Sequence, residues 1–600
     1  MALISISLSL LTFALPAWSR AIPGPLKHRS GDPWYPNGAP PSGGPGWPWV
    51  TVTTVPQPPQ QIKWVDCHER IPTTVQATTN ITASTPLPPN LCCGELVVPM
   101  DYSKLISADN NITVGFAMVR PPKGTNSSGL IAYHAGGPGI DAATKAWETA
   151  FNQSTTFLGL EDFDLLMMNT RGLEFSTPLN ITSGVFFNDP LINHPFPTNE
   201  TQYAAYQSAM TNFLMSVNNN TTPAGLMEHV STNEIIQDMD ALRGALGYRK
   251  LHFAGVSYGT FVGAAYADRF PDRVGRFVID AVIPHGMPFQ EMIHHQMTAI
   301  NRLILRSDAF CMTDPDCPFH GQGKGAVVKA WDTLLAQTIK NGSIPAPSCG
   351  TGQPFNGGAP CNTPVTATDL RFGVHASFRS DSDFPLFNLG VHQALNGNAS
   401  LLAYQPLEDV RETVVSPLLC SDFPIDDSEK NFDGFNQFAL NSQANDTHSV
   451  IYSQTWQFVL MCAAWPFQVA NQTTLKNDLE IMWVTSDYDL NLPTELTTFA
   501  WEQTPKASLV IRHGDVHTSI DFTGTPAGAA ADLAKGFLKT GIMPGAQAND
   551  KVTVIAPGGT RGPVPDPYEV ATGLVAADTS VVENITTSSN AIQNTTETLF

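Results

Sequence analysis

From about residue 91 the chain alternates short, continuously apolar runs with longer stretches of helical character. GLIAYH, DLLMMN, KLHFAG and RFVIDAV are too short and too uniformly apolar for amphipathic helices, and they predict strands covered on both faces, the signature of a parallel sheet. NEIIQDMDALRGALG, lying between two of them, reads as an amphipathic helix. Two more such runs, EIMWVTS and ASLVIRH, come only after residue 480. The pattern predicts an α/β fold, a mostly parallel sheet flanked by helices, with a large, mainly helical cap (282–479) inserted between the fourth and fifth of these strands. No internal repeat is present.

The ends of the chain differ from this middle. ALISISLSLLTFALPAWSR has an apolar run of about a dozen residues followed by Ala17-Trp18-Ser19, which predicts a secretory signal peptide over 1–19. Residues 20–60 are too rich in Pro and Gly for regular elements. The core is expected over 61–281 and 480–545, followed by a C-terminal tail over 546–600 whose last ~45 residues are rich in Ser, Thr and Asn. Fourteen Asn-x-Ser/Thr sequons, at Asn80, Asn111, Asn126, Asn152, Asn180, Asn199, Asn219, Asn220, Asn341, Asn398, Asn445, Asn471, Asn584 and Asn594, predict N-linked glycans on a secreted, extracellular chain. Nine cysteines fit the same oxidising compartment, with Cys311/Cys317, Cys349/Cys361 and Cys420/Cys462 as local pairs and Cys67 joined to Cys92 or Cys93. A formal charge of -21 argues against nucleic acid or an anionic membrane as partner.

GVSYGT (255–260) lies between the apolar run KLHFA and the helix-like FVGAAYADRF. A strand, a serine between two glycines and a helix make a nucleophile elbow, whose tight turn lifts the Ser257 hydroxyl clear of the sheet. Such a hydroxyl needs an imidazole to take its proton, and the imidazole needs a carboxylate to fix its tautomer. In the α/β-hydrolase fold these follow in the order Ser, acid, His. WVTSDYDLNLP (483–493) ends one late strand in two candidate acids, Asp487 and Asp489, and IRHGDVHT (511–518) ends the next in two candidate bases, His513 and His517. The oxyanion formed on attack needs preorganised N–H donors: Tyr258, the residue after the nucleophile, and a donor from HAGGPG (134–139) after the strand IAYH.

In order, CGELVVPMDY, AGGPG, NTRGLEFS, DMDALRGALG, GVSYGT, VIDAV, SDYDLNLP and GDVHTS resemble the secreted α/β-hydrolases of the prolyl and tripeptidyl aminopeptidase family. The resemblance covers about residues 60 to 540, and about 410 to 517 resembles that family's C-terminal module. It implies a serine peptidase acting on peptides with free N-termini and using no cofactor. By position it selects Asp489 and His517 as partners of Ser257, and Gly137 as the oxyanion donor beside Tyr258. The chain departs from the family pattern at Asn169, Glu174, Leu492 and Val516. Neighbouring charge and burial push His517 in opposite directions, which sets an acid limb of activity between about pH 5 and 7, whereas Asp489 beside an imidazolium is expected well below ~4.

An aminopeptidase must also hold an ammonium group, for which Glu291, Asp314, Asp316, Asp381 and Asp383 are the cap's candidate acids. His294-His295 has no partner at metal-site spacing and reads as a solvated or capping pair, so no metal is implied. Two other readings stay open: an esterase using the same triad, distinguished by the lack of an acid cluster at the cleft, and a non-catalytic binding protein on a hydrolase scaffold.

Overall fold

The computed structural model describes residues 54–181, 197–349, 363–378, 383–403, 410–443, 446–451, 454–469, 474–476, 479–520 and 528–570. The expected signal peptide, most of the Pro/Gly-rich segment and the Ser/Thr/Asn-rich end lie outside these residues, as does Cys361, the expected partner of Cys349. No described helix is long and apolar enough to cross a membrane.

Eleven strands form one sheet: β1 (Lys63–Val65), β2 (Leu91–Val98), β3 (Ile112–Val119), β4 (Leu130–His134), β5 (Asp164–Met168), β6 (Leu251–Val256), β7 (Val274–Asp280), β8 (Ile481–Ser486), β9 (Ser508–Arg512), β10 (Gln547–Ala548) and β11 (Val552–Ile555). Their spatial order is β1-β2-β3-β5-β4-β6-β7-β8-β9-β11-β10. The six apolar runs are β4 to β9, and they are mutually parallel. Each of β4, β5 and β8 is buried at every residue because successive side chains face two different cores: Leu130 and Ala132 face one, Ile131 and Tyr133 the other.

The sheet is mixed at its margins. β1, β2 and β3 pair antiparallel, as do β3 with β5, β11 with β9, and β10 with β11. The expected tail beginning at 546 therefore needs correcting. Residues 547–555 extend the sheet, since a four-residue strand such as VTVI buries Val552 and Val554 on one face only and carries a weaker apolar signal than its central neighbours.

Three of the resembling motifs converge on one buried knot. Arg171, fully buried, donates to both carboxylate oxygens of Asp238 (2.8 and 2.7 Å) and to the carbonyls of Met100 (2.7 Å), Pro99 (3.0 Å) and His229 (2.8 Å). Tyr102 donates its hydroxyl to the same Asp238 (2.8 Å). Removing one partner of such a pair leaves an uncompensated buried charge. Arg171→Ala is expected to lower the unfolding free energy by about 3–5 kcal/mol, read from urea denaturation; a loss below about 1 kcal/mol would show the knot to be unimportant. The departures at 169 and 174 are satisfied locally. Asn169 accepts from Ala143 N (3.0 Å) and donates to the Glu174 carbonyl (2.8 Å), while the Glu174 carboxylate accepts from the backbone and hydroxyl of Thr73 (3.1 and 2.8 Å) at the start of the helix Thr73–Thr78.

Between β7 and β8 the described residues are helical and loop, led by the 25-residue helix Phe289–Thr313. Much of this region has its own apolar core, including Leu303, Trp331, Phe387 and Val391, which also takes in Tyr488 and Leu490 from the loop after β8. Disulfides join Cys311 to Cys317, Cys420 to Cys462, and Cys67 to Cys93, which resolves the choice between Cys92 and Cys93. His294 Nε2 meets the carbonyl of Asn441 in the last turn of the helix Phe432–Ser442 (2.9 Å), the contact that a capping residue makes.

Candidate active site

The chain turns from β6 into the helix Tyr258–Arg269 through Ser257, which holds φ 53° and ψ -126°. That backbone conformation is strained for a residue with a side chain, and the surroundings enforce it. A Cβ at Gly255 would stand 2.7 Å from the Gly259 carbonyl oxygen, and one at Gly259 would stand 2.6 Å from the His134 carbonyl at the end of β4. Both positions therefore need hydrogen as a side chain. Ser257 is further fixed by its own N–H, donated to the Asp280 carbonyl (3.0 Å), and by its carbonyl, which accepts from Thr260 N (2.9 Å).

Ser257, Gly137 and His517 line one cleft. His517 Nδ1 meets both carboxylate oxygens of Asp489, at 3.0 and 2.9 Å, and Asp489 also accepts from Leu492 N (3.0 Å). The other two candidates pair as well: His513 Nδ1 meets Asp487 at 2.7 Å while its Nε2 meets the Thr553 hydroxyl of β11 at 3.0 Å. Two parallel acid–imidazole pairs thus leave adjacent strand ends. His517 borders the cleft with Ser257, whereas both ring nitrogens of His513 are engaged elsewhere.

Burial pulls the His517 imidazole down, but the charge and hydrogen bond of Asp489 and the charge of Asp280 together outweigh it and hold it above the ordinary value of 6.5. Asp489 departs from expectation. Its carboxyl lies above the usual carboxylate value, because complete burial outweighs the opposing pull of His517 and of the Leu492 and Asn491 amides.

Tyr258 is buried at the first position of the elbow helix, where its N–H has no partner four residues back. Its side chain points away from the chemistry. The hydroxyl donates to Asp422 (2.6 Å), which also accepts from the backbone and hydroxyl of Thr232 (2.8 and 2.7 Å). Burial pushes the Asp422 carboxyl up to about 7. Sequence reading passed over Asp422 and Asp280. Asp280 could have been found as a lone acid ending the apolar run of β7; its carboxylate binds the Ser519 and Ile520 amides (2.5 and 2.8 Å) just past His517. Asp422 has no local signature beyond its place two residues after Cys420.

The rest of the cleft is mostly apolar, with Ile283, Phe289, Met292, Leu419 and Phe423 prominent and Gln296 and Asn491 as its polar lining, and no described carboxylate lines it. Asp314 and Asp316 follow the far end of the helix Phe289–Thr313, ~33 Å along its axis from Met292. Asp383 caps another helix by accepting from Leu386 N (2.9 Å), and Asp381 lies outside the described residues. Glu291 neighbours Met292, but adjacent helical residues point about 100° apart. Among the described residues no group of three His, Cys, Asp or Glu could hold a metal ion.

An elbow serine on a mostly parallel sheet, with its histidine and acid on late strand ends, defines an α/β-hydrolase. Residues 133–304 match the family model of the alpha/beta hydrolase fold, and residues 449–552 match that of TAP-like protein, later at both ends than the expected 410–517. The chain therefore has the α/β-hydrolase fold and carries a region that matches TAP-like protein. It is similar to serine protease Hip1 of Mycobacterium tuberculosis (28% identity over 280 residues, 46% of this chain and 50% of the relative). It is also similar to the tripeptidyl aminopeptidase of Streptomyces lividans (30% over 200 residues, 33% of this chain and 36% of the relative) and to the putative hydrolase YuaR of Escherichia coli (30% over 257 residues, 41% and 48%). The matches span half or less of each relative's length.

Proposed function

We propose that this chain is a secreted serine peptidase that removes residues or short peptides from free N-termini through an acyl-enzyme. Ser257 attacks the scissile carbonyl, His517 takes and returns the proton, Asp489 fixes the imidazole, and the Tyr258 and Gly137 amides hold the oxyanion. The observation that carries this reading is the convergence of Ser257, His517 and Gly137 on one cleft, with Asp489 against the far side of the imidazole. The peptidase names of two of the relatives and the TAP-like region support peptide substrates. Secretion is supported by the signal-like start, by three formed disulfides, and by the sequons: of the ten in described segments, eight are exposed and two, Asn111 and Asn398, half-exposed. N-linked glycans at these sites, and the absence of nucleic-acid and membrane partners, complete the proposal.

The esterase reading draws on one observation, the apolar cleft without a described carboxylate. A panel of fluorogenic aminoacyl, dipeptidyl and tripeptidyl amides, with N-blocked copies and simple esters, separates the two. Strong loss on blocking supports the exopeptidase; equal turnover of blocked peptides, or turnover of esters alone, overturns it.

The pH profile follows from the raised imidazole. Neutral His517 is the active form, so kcat/KM is expected to fall as pH drops, with a midpoint above ~6.5, in the upper part of the range expected from sequence or beyond it. A free-amine peptide held through its ammonium should add an alkaline limb near pH 8, which a neutral ester lacks. Profiles from pH 4 to 10 on both substrates check this; an acid midpoint well below 6 would show that Asp489 and Asp280 do not govern the base.

A further inference from the structure

Beyond β11 the chain does not leave the molecule at once. Arg561, at the start of this run, donates to the Thr494 carbonyl (2.8 Å) and to the Thr498 hydroxyl, fastening it to the helix Thr494–Glu502 that follows the acid loop. Two residues of the following run, Pro567 and Val570, then meet a single guanidinium. Arg306, on the cap helix Phe289–Thr313 and with no exposed side-chain surface, donates to the carbonyls of Pro567 (3.0 Å) and Val570. Its other face forks onto Asp515, Nε to Oδ1 at 2.6 Å and Nη2 to Oδ2 at 2.7 Å. Its plane lies over the Tyr488 ring, 4.5 Å from the centroid. Tyr488 in turn donates its hydroxyl to the carbonyls of Pro565 (3.0 Å) and Asp566 (3.1 Å). Tyr568 donates to Asp308 (2.9 Å), two residues further along the cap helix, and Lys324 sits 3.8 Å over its ring.

The sequence positions give this arrangement its meaning. Tyr488 is the residue before Asp489, and Asp515 stands two residues before His517. One planar fork therefore grips both loops that deliver the acid and the base, and the run past β11 locks that fork in place. We infer that Arg306 is a positioning residue for the catalytic triad and that residues 561–570 form a strap through which it holds the acid and histidine loops in register. This rests on the triad reading above. The strap lies beyond both matched regions, which end at residues 304 and 552. A rigid bidentate fork restricts two loops at once, which a lysine's single ammonium cannot reproduce. Misplacing a catalytic group by about 1 Å can lower the rate by about 10²-fold.

The test uses the full chain with Arg306→Lys, Asp515→Asn, and a third form ending at Gly559, in an exposed turn before the strap. Each is titrated with a fluorophosphonate probe that counts competent serines, and kcat and KM are then measured per titrated site on the best substrate of the panel. A purely structural role lowers the number of titratable sites and leaves kcat per site unchanged. The strap inference expects kcat per site to fall about 10²-fold with KM within about threefold, in both point variants and in the shortened chain. If Arg306→Lys gives no folded protein, Asp515→Asn carries the test alone, since it keeps an acceptor in place. Unchanged kcat per site in the folded variants overturns the inference while leaving the triad standing. A wild-type chain that takes no label overturns the serine-hydrolase reading itself.

Discussion

Ser257→Ala is expected to lower kcat/KM by about 10⁴- to 10⁶-fold while the chain stays folded. On the proposed mechanism the loss is large because the hydroxyl oxygen is the bond-forming atom, and the remaining groups then act on a bystander water. Stability should change by no more than about 0.5 kcal/mol, since alanine keeps the Cβ, the strained backbone and both backbone hydrogen bonds of residue 257. Activity on the best peptide and the thermal midpoint should be measured on one preparation. Retention of more than a tenth of wild-type activity would point to another nucleophile.

Asp489→Asn is expected to lower kcat by about 10⁴-fold, with Asp487→Asn mild by comparison. An amide at 489 that turns its NH₂ to Nδ1 donates to that nitrogen and so favours the tautomer protonated at Nε2, which cannot accept the serine proton. Asp487 faces His513, whose other nitrogen is occupied by Thr553, so its loss acts on a neighbouring loop and not on the reacting atoms. The reverse ranking of the two variants would transfer the acid's role to Asp487.

The six parallel strands were legible because a strand covered on both faces is apolar over most of its length, and each of β4 to β9 carries a short, mainly apolar run with its polar residues mostly at the ends. The antiparallel margin was harder to read. β2 contains Gly94 and alternates buried with half-exposed or exposed positions, so LCCGELVV registers as a motif more readily than as a strand. β11 has four residues amid turn formers. At the site, Ser257 was legible from its turn, since Gly255, Ser257 and Gly259 answer a local steric demand. Local sequence offered two acids and two histidines, and resemblance alone chose between them. Asp422 and Arg306 escaped notice for a different reason. Their partners Tyr258 and Asp515 lie 164 and 209 residues away, and no periodicity encodes a contact at that range. Of the candidate ammonium acids, Asp314 and Asp316 lie far from the cleft because the helix that precedes them is 25 residues long.

The insertion of the cap between β7 and β8 also orders events in time. Strands adjacent in the sheet are separated by the whole cap, and about 260 residues lie between Ser257 and His517. At a synthesis rate of about 5–20 residues per second, the elbow emerges roughly 13 to 52 seconds before its base. During that interval the nascent chain holds a serine with no imidazole to activate it. The strap arrives later still, so the proposed triad is incomplete until most of the chain has been made.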